Sequence, residues 1–174
     1  MSRPFPFDME VCSLSQMRRR VRRIDATHVV SLVEAKARVY TPSRVSVNDH
    51  LILRFEDDED PSAPFAPEPR HVKSLLDFGK RVPEGARVVV HCRAGVSRSS
   101  AGAIALLAQA GGPEMYEEAV RAVMENRPEA CPNRLVVELA DDRLGADGAL
   151  SAAVEPVVER RLREMGLGPP GRRP

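Results

Sequence analysis

A chain of 174 residues has the length of one domain and can bury roughly 70% of the surface its unfolded form exposes, so one sizeable core is expected. Hydrophobic residues make up 43% of it, charged residues 29% and aromatics only 4%, with no tryptophan, which leaves Val, Leu, Ala and Ile to build that core. Twenty-six basic residues stand against twenty-five acidic ones. That balance excludes a global field drawing the chain to nucleic acid or an anionic membrane, so any anion site must be local.

Cys12, Cys92 and Cys131 are too few and too scattered for a disulfide framework, and no pair has the short spacing of a zinc site. Neither a metal nor a cofactor is expected. The opening MSRPFPFDMEVCSL lacks the apolar run of a signal peptide, and no stretch of about eighteen apolar residues follows. A cytoplasmic protein in a reducing compartment is the expectation.

Short β-branched runs alternate with longer stretches of helical period, the pattern of a three-layer α/β fold with a largely parallel sheet flanked by helices. A first strand is predicted near Met9 to Leu14. Gln16 to Arg23, with five arginines, reads as a short exposed helix with Ser15 as N-cap and a solvated basic face. Strands follow near His28 to Val33 and Leu51 to Phe55. Asp57 to Pro69, DDEDPSAPFAPEP, is a proline-rich acidic loop.

Glu68 to Val82 carries a helical stripe of Val72, Leu75, Leu76, Phe78 and Val82, stopped by Pro83 and Gly85. Arg87 to His91, RVVVH, is the surest strand and suits a central buried position. From Ser99, SSAGAIALLAQAGG is small and apolar almost all round until Gly111-Gly112, a buried helix. Two more helices are predicted over Pro113 to Asn126 and Arg134 to Leu144, with RPEACPN as the turn between them and Asn133 as a cap. Residues 1–165 form one domain in this reading, and the tail over 166–174, GLGPPGRRP, is expected to be disordered.

The chemistry concentrates in His91-Cys92-Arg93-Ala94-Gly95-Val96-Ser97-Arg98-Ser99, between the surest strand and the buried helix. A strand running into a tight loop and then a helix is where α/β proteins bind ligands. The amides of Arg93, Ala94, Gly95, Val96, Ser97 and Arg98 can converge on an anion, helped by the helix dipole, and phosphate is the obvious one. Such surroundings favour thiolate over thiol at the loop's start, making Cys92 a nucleophile. The planar fork of Arg98 can grip two phosphate oxygens. Gly95 lets the backbone turn and approach the ligand, Ser99 can donate to a departing thiolate, and His91 orients the loop.

The run His-Cys, five residues, Arg-Ser resembles the signature of the cysteine-dependent protein tyrosine and dual-specificity phosphatases. AGVSRS is similar to the dual-specificity branch and its compact bacterial relatives. Weaker likeness extends from VCSLSQM to DRLGADG, and CPNRLVVEL is similar to a Pro-Asn helix start in that branch. The resemblance implies the phosphatase fold and two-step phosphoryl transfer through a phosphocysteine, acting on a phosphorylated protein or a small phosphate monoester. It also implies a general-acid aspartate on a mobile loop roughly thirty residues before the cysteine, at a strand end. HLILRF runs into Glu56-Asp57-Asp58-Glu59-Asp60. Asp57 is the first choice because it follows the strand directly, then Asp58, then Asp60.

Cys12 and Cys131 read as small core residues, with a resolving disulfide to Cys92 as the alternative. His28, His50 and His71 need no special role. Rival readings are a rhodanese-like sulfurtransferase, opposed by the loop length and the Arg-Ser ending, and an arsenate reductase, opposed by the lack of a nearby cysteine pair. A catalytically silent phosphate-binding domain is the third, opposed by the presence of both Cys92 and Arg98. Substrate identity and oligomeric state stay open.

Overall fold

The computed structural model describes residues 4–167; the rest of the expected disordered tail, residues 168–174, lies outside the described residues. Four β-branched runs become strands within a residue of their expected bounds: β1 (Asp8–Ser13), β2 (His28–Val33), β3 (His50–Arg54) and β4 (Arg87–Cys92). They form one sheet in the order β1-β4-β2-β3, every neighbouring pair parallel. Val29, Val30, Val88, Val89 and Val90 are all fully covered, as central parallel strands require.

Alternation along the strands sorts side chains to two faces. Val11, Val30, Leu32, Val88, Val90 and Cys92 join the large core under α2 (Pro69–Gly79), α3 (Arg98–Gly111), α4 (Tyr116–Asn126), α5 (Arg134–Leu144) and α6 (Ala149–Glu164). Cys12, Val29 and Val89 face a smaller cluster closed by Met17 and Val21 of α1 (Leu14–Arg23) and by Val45. Helix α3 lies on the sheet, buried from Arg98 to Ala108. A side chain at Gly102 would come within 2.6 Å of Leu32, so the small residues of this helix set its close approach.

Several boundaries differ from expectation. Helix α1 begins at Leu14 and is capped at Ser13, not Ser15, because the Gln16 side chain reaches back to the Ser13 amide at 3.2 Å. It is more than an exposed basic element, since Met17 and Val21 are buried and close a sheet face. Helix α2 stops at Gly79, and Arg81 and Val82 continue in a tighter turn bonded to Phe78 and Gly79. Pro113–Met115 is a 3₁₀ turn ahead of α4.

Helix α6 was not expected. Its stripe of Leu150, Val154 and Val158 repeats every four residues, while Pro156 sits exposed within it. Buried Asp141 holds its start, accepting from the amides of Gly148 at 2.7 Å and Ser151 at 2.9 Å. Asn133 caps α5 as expected, accepting from Val136.

Candidate active site

The C-terminal ends of the strands share one edge of the sheet, where parallel α/β folds place ligand sites. Strand β4 delivers Cys92, Ser13 pairs with it at the end of β1, Glu34 follows β2, and Asp57 lies just past β3.

Between Cys92 and α3 the chain closes into a tight loop whose carbonyls are held from outside. Leu14 N donates to Arg93 O at 3.2 Å. Arg127 donates from Nη2 to Ala94 O at 3.1 Å and from Nε to Gly95 O at 3.0 Å. Val96 O accepts from Cys131 N at 3.0 Å and Ser100 Oγ at 2.5 Å, and Ser97 O from Ala101 N at 3.1 Å and Asn133 N at 3.3 Å. With five consecutive carbonyls tied outward, the peptide planes turn their N–H groups toward the loop's interior. Gly95 N donates there to Cys92 Sγ at 3.2 Å. Gly95 has φ of +73°, and a Cβ on it would lie 2.5 Å from Ser13 N and 2.6 Å from Cys12 O. Only glycine fits that turn and that close approach to β1.

Cys92 is buried, and its sulfur also lies 3.1 Å from Ser99 Oγ at the first turn of α3. Arg98, 5% exposed, donates to Phe55 O at 2.8 Å and Glu34 Oε2 at 3.2 Å. Its Nε–H is buried without a partner among the described residues, a donor that a bound oxyanion would satisfy. Glu34 accepts from Arg93 as well, at 2.8 Å. Its carboxyl is held down to about 2, first by its own backbone amide and then by the two guanidiniums. The Arg93 side chain thus leaves the loop for Glu34, and Ala94 and Val96 take part through their backbones.

Among the acidic cluster, Asp57 is the residue that reaches the loop. Its Oδ1 accepts from Ser97 Oγ at 2.7 Å and Asn133 Nδ2 at 3.0 Å. Asp58 and Asp60 are occupied locally: Asp58 Oδ1 accepts from Asp60 N, and Asp60 Oδ1 from the amide and hydroxyl of Ser62. Glu59 binds the Arg134 amide at the start of α5, and Asn133 Nδ2 also donates to Asp58 O, so the loop is clamped beside the site.

His91 is fully buried, and burial pushes its imidazole down to about 4. Nδ1 lies 3.3 Å from Cys92 O, and Nε2 lies 2.6 Å from Ser31 Oγ, which is 2.7 Å from His50 Nε2; His50 Nδ1 is 2.9 Å from Thr41 Oγ1. One proton arrangement satisfies every link: Thr41 donates to His50, His50 to Ser31, Ser31 to His91, and His91 to the carbonyl of Cys92. His50, read as unremarkable in the sequence, therefore supports His91.

No family model matches the chain. Dual specificity protein phosphatase 13B of Homo sapiens is 32% identical over 133 residues, covering 72% of this chain and 64% of the relative. The chain thus spans a little under two thirds of that relative's length. The solved PTP-2 phosphatase of Cydia pomonella is 29% identical, with a TM-score of 0.58 over 78% of this chain and 84% of that one. Human DUSP28, at 21% identity, shares the fold, with a TM-score of 0.59 over 86% of this chain and 99% of that one. These likenesses support the dual-specificity-like branch of the cysteine-dependent protein tyrosine phosphatases for this chain.

In this dual-specificity-like chain, two residues at the site lay outside the sequence reading. Arg127 ties two loop carbonyls, and Glu34 fixes two loop arginines; their signals in the sequence were an arginine in a proline-bounded turn and a carboxylate at a strand end. All three thiols are free. Burial pushes the Cys12 thiol up to about 12 and raises Cys131 as well, as structural cysteines behave. His28 packs edge-on to Phe78, and His71 accepts from the Glu68 amide while lying against Phe55, whose carbonyl holds Arg98. Among the described residues no group of three or more His, Cys, Asp or Glu side chains could hold a metal, and no helix is long and apolar enough to cross a membrane.

Proposed function

We propose that this chain hydrolyses phosphate monoesters, phosphotyrosine in proteins first among them, through a phosphocysteine on Cys92. The observation that carries the reading is the loop from Arg93 to Ser97, its carbonyls tied outward above the Cys92 sulfur, with the buried and partly unpaired guanidinium of Arg98 beside it. Cys92 Sγ attacks phosphorus as the bond to the leaving oxygen breaks, and Asp57 gives that oxygen a proton. Both donors to Asp57 reach Oδ1, which leaves Oδ2 to carry that proton. Water then breaks the P–S bond, with Asp57 accepting its proton and Ser99 Oγ donating to the departing thiolate. Arg98 and the loop amides hold the equatorial oxygens, where charge spreads in the transition state.

Two observations favour a protein substrate over a phosphoinositide. The loop carries no lysine, and its extra cation, Arg93, is held by Glu34. Three free thiols suit a reducing compartment, and the cytoplasm is our proposed location.

The test is turnover of p-nitrophenyl phosphate and of a panel of phosphopeptides and phosphoinositides. Cys92→Ser should bring every activity to background. Turnover that survives this change, or sulfur transfer from thiosulfate in its place, overturns the reading.

A further inference from the structure

The five arginines of α1 do not share one fate. Arg20 and Arg23 turn to one side and close on the two oxygens of Glu10, at 3.2 and 2.5 Å. Arg18 and Arg22, one helical turn apart, point to the other side, exposed and without a carboxylate partner among the described residues. There they face the segment that leaves β2, and two cavities open between these walls. One, of about 720 Å³, is lined by Leu14 and Ser15 on the helix and by Glu34, Lys36, Arg38 and Arg93 opposite. The other, of about 290 Å³, is lined by Arg18 and Arg22 on the helix and by Thr41, Ser43 and Arg44 opposite.

Residue numbers rise together along both walls, so the two cavities follow one another along α1, the first beside the phosphate loop, and together they mark out a trough-like path. Six cations line it: Arg93, Lys36, Arg38, Arg18, Arg22 and Arg44. Its one acid, Glu34, is already engaged by Arg93 and Arg98, and Arg44 shares Asp25 with Arg87. The chain as a whole is nearly neutral, so this concentration of charge is a local feature with a local field.

We infer that this trough binds an acidic peptide segment flanking the phosphorylated residue, so that the favoured substrates carry aspartate or glutamate beside the phosphate-bearing side chain. The inference rests on the phosphatase reading of Cys92. From Leu14 to Arg22 the helix rises about 12 Å, the length of roughly four residues of extended peptide. An elongated groove of that size suits a chain passing along it, with guanidiniums spaced to meet successive carboxylates. Opposite charge along the path speeds encounter and fixes the direction of the bound peptide.

The experiment compares two phosphotyrosine peptides, one with neutral and one with acidic flanks, extended in turn on each side. At low salt the acidic peptide should show kcat/KM about tenfold higher, an advantage that fades at high salt. Arg18→Glu combined with Arg22→Glu should abolish or reverse that preference while leaving p-nitrophenyl phosphate turnover unchanged. Arg18→Gln with Arg22→Gln should remove the preference without reversing it. An advantage that survives both double variants, or no advantage in the native chain, overturns the inference.

The same peptides carrying a nonhydrolysable phosphonate give Kd without turnover. A silent enzyme that still prefers the acidic phosphonate peptide refutes the hydrolysis reading and keeps the trough. Active enzyme with no preference refutes the trough alone. Because Tyr40 and Val47 stand exposed on the same segment, vesicles containing phosphoinositide form a third arm. Binding to vesicles that depends on Arg18 and Arg22, with no peptide preference, would assign the trough to a lipid surface and overturn the peptide.

Discussion

The segments that leave β2 and β3 start side by side at the same sheet edge, and each sends one carboxylate toward the phosphate loop. Glu34 meets two guanidiniums and is locked in its ionised form, with its carboxyl held down to about 2. Asp57 meets a hydroxyl and an amide, both on the same oxygen. Equal proximity therefore does not mean equal work: the partners decide which carboxylate is an anchor and which can carry a proton. Glu34 holds the Arg98 guanidinium, and Asp57 is the proton donor we propose.

The largest expected difference between them lies in their dependence on the leaving group. Asp57→Asn should slow an alkyl phosphate about a hundredfold or more, since a poor leaving group needs its proton, and should slow p-nitrophenyl phosphate far less. A steady-state comparison of the two substrates reads this directly. An equal loss on both would move the acid elsewhere, although Asp58 and Asp60 are already engaged in their own turn.

Glu34→Gln should cost about tenfold in kcat/KM on both substrates alike, because it loosens the buried guanidinium that holds the transferred group and leaves the proton donor in place. A loss confined to the poor leaving group would make Glu34 the acid and erase the distinction between the two segments.

The same pair of segments shows what was legible in the sequence. The β4–loop–α3 unit could be read because its features are consecutive: a β-branched strand, a glycine that must turn, an arginine at the helix start, and a helix of small residues. Asp57 was readable because it lies just past the end of a strand. Glu34 and Arg127 were not, since their importance comes from approach in space: Arg127 lies 32 positions from the Gly95 carbonyl it ties, and Glu34 lies 64 from Arg98. The buried line of His91, Ser31, His50 and Thr41 was hidden for the same reason. Helix α6 failed on a local conflict, because Pro156 argues against a helix that the stripe of Leu150, Val154 and Val158 supports.

A further effect is expected on stability in acid, where Glu34 and His91 should act in successive pH windows that overlap only near 4 to 4.5. Unfolding returns Glu34 from about 2 to its ordinary value of 4.5. The unfolded chain then binds the extra proton, so the stability it confers is complete above 4.5 and is lost as pH falls toward 2. His91 rises on unfolding from about 4 to 6.5, and again the unfolded chain binds more protons. Its share is therefore complete above 6.5 and declines as pH falls toward 4. Denaturant titrations across this range should show Glu34→Gln less stable than the native chain near neutrality, the gap closing only below 4.5. His91→Asn should flatten the limb between 6.5 and 4 and leave the lower one intact. If Glu34→Gln instead changed the upper limb, the ionised anchor would not be the state that holds Arg98, and the contrast with Asp57 would fail.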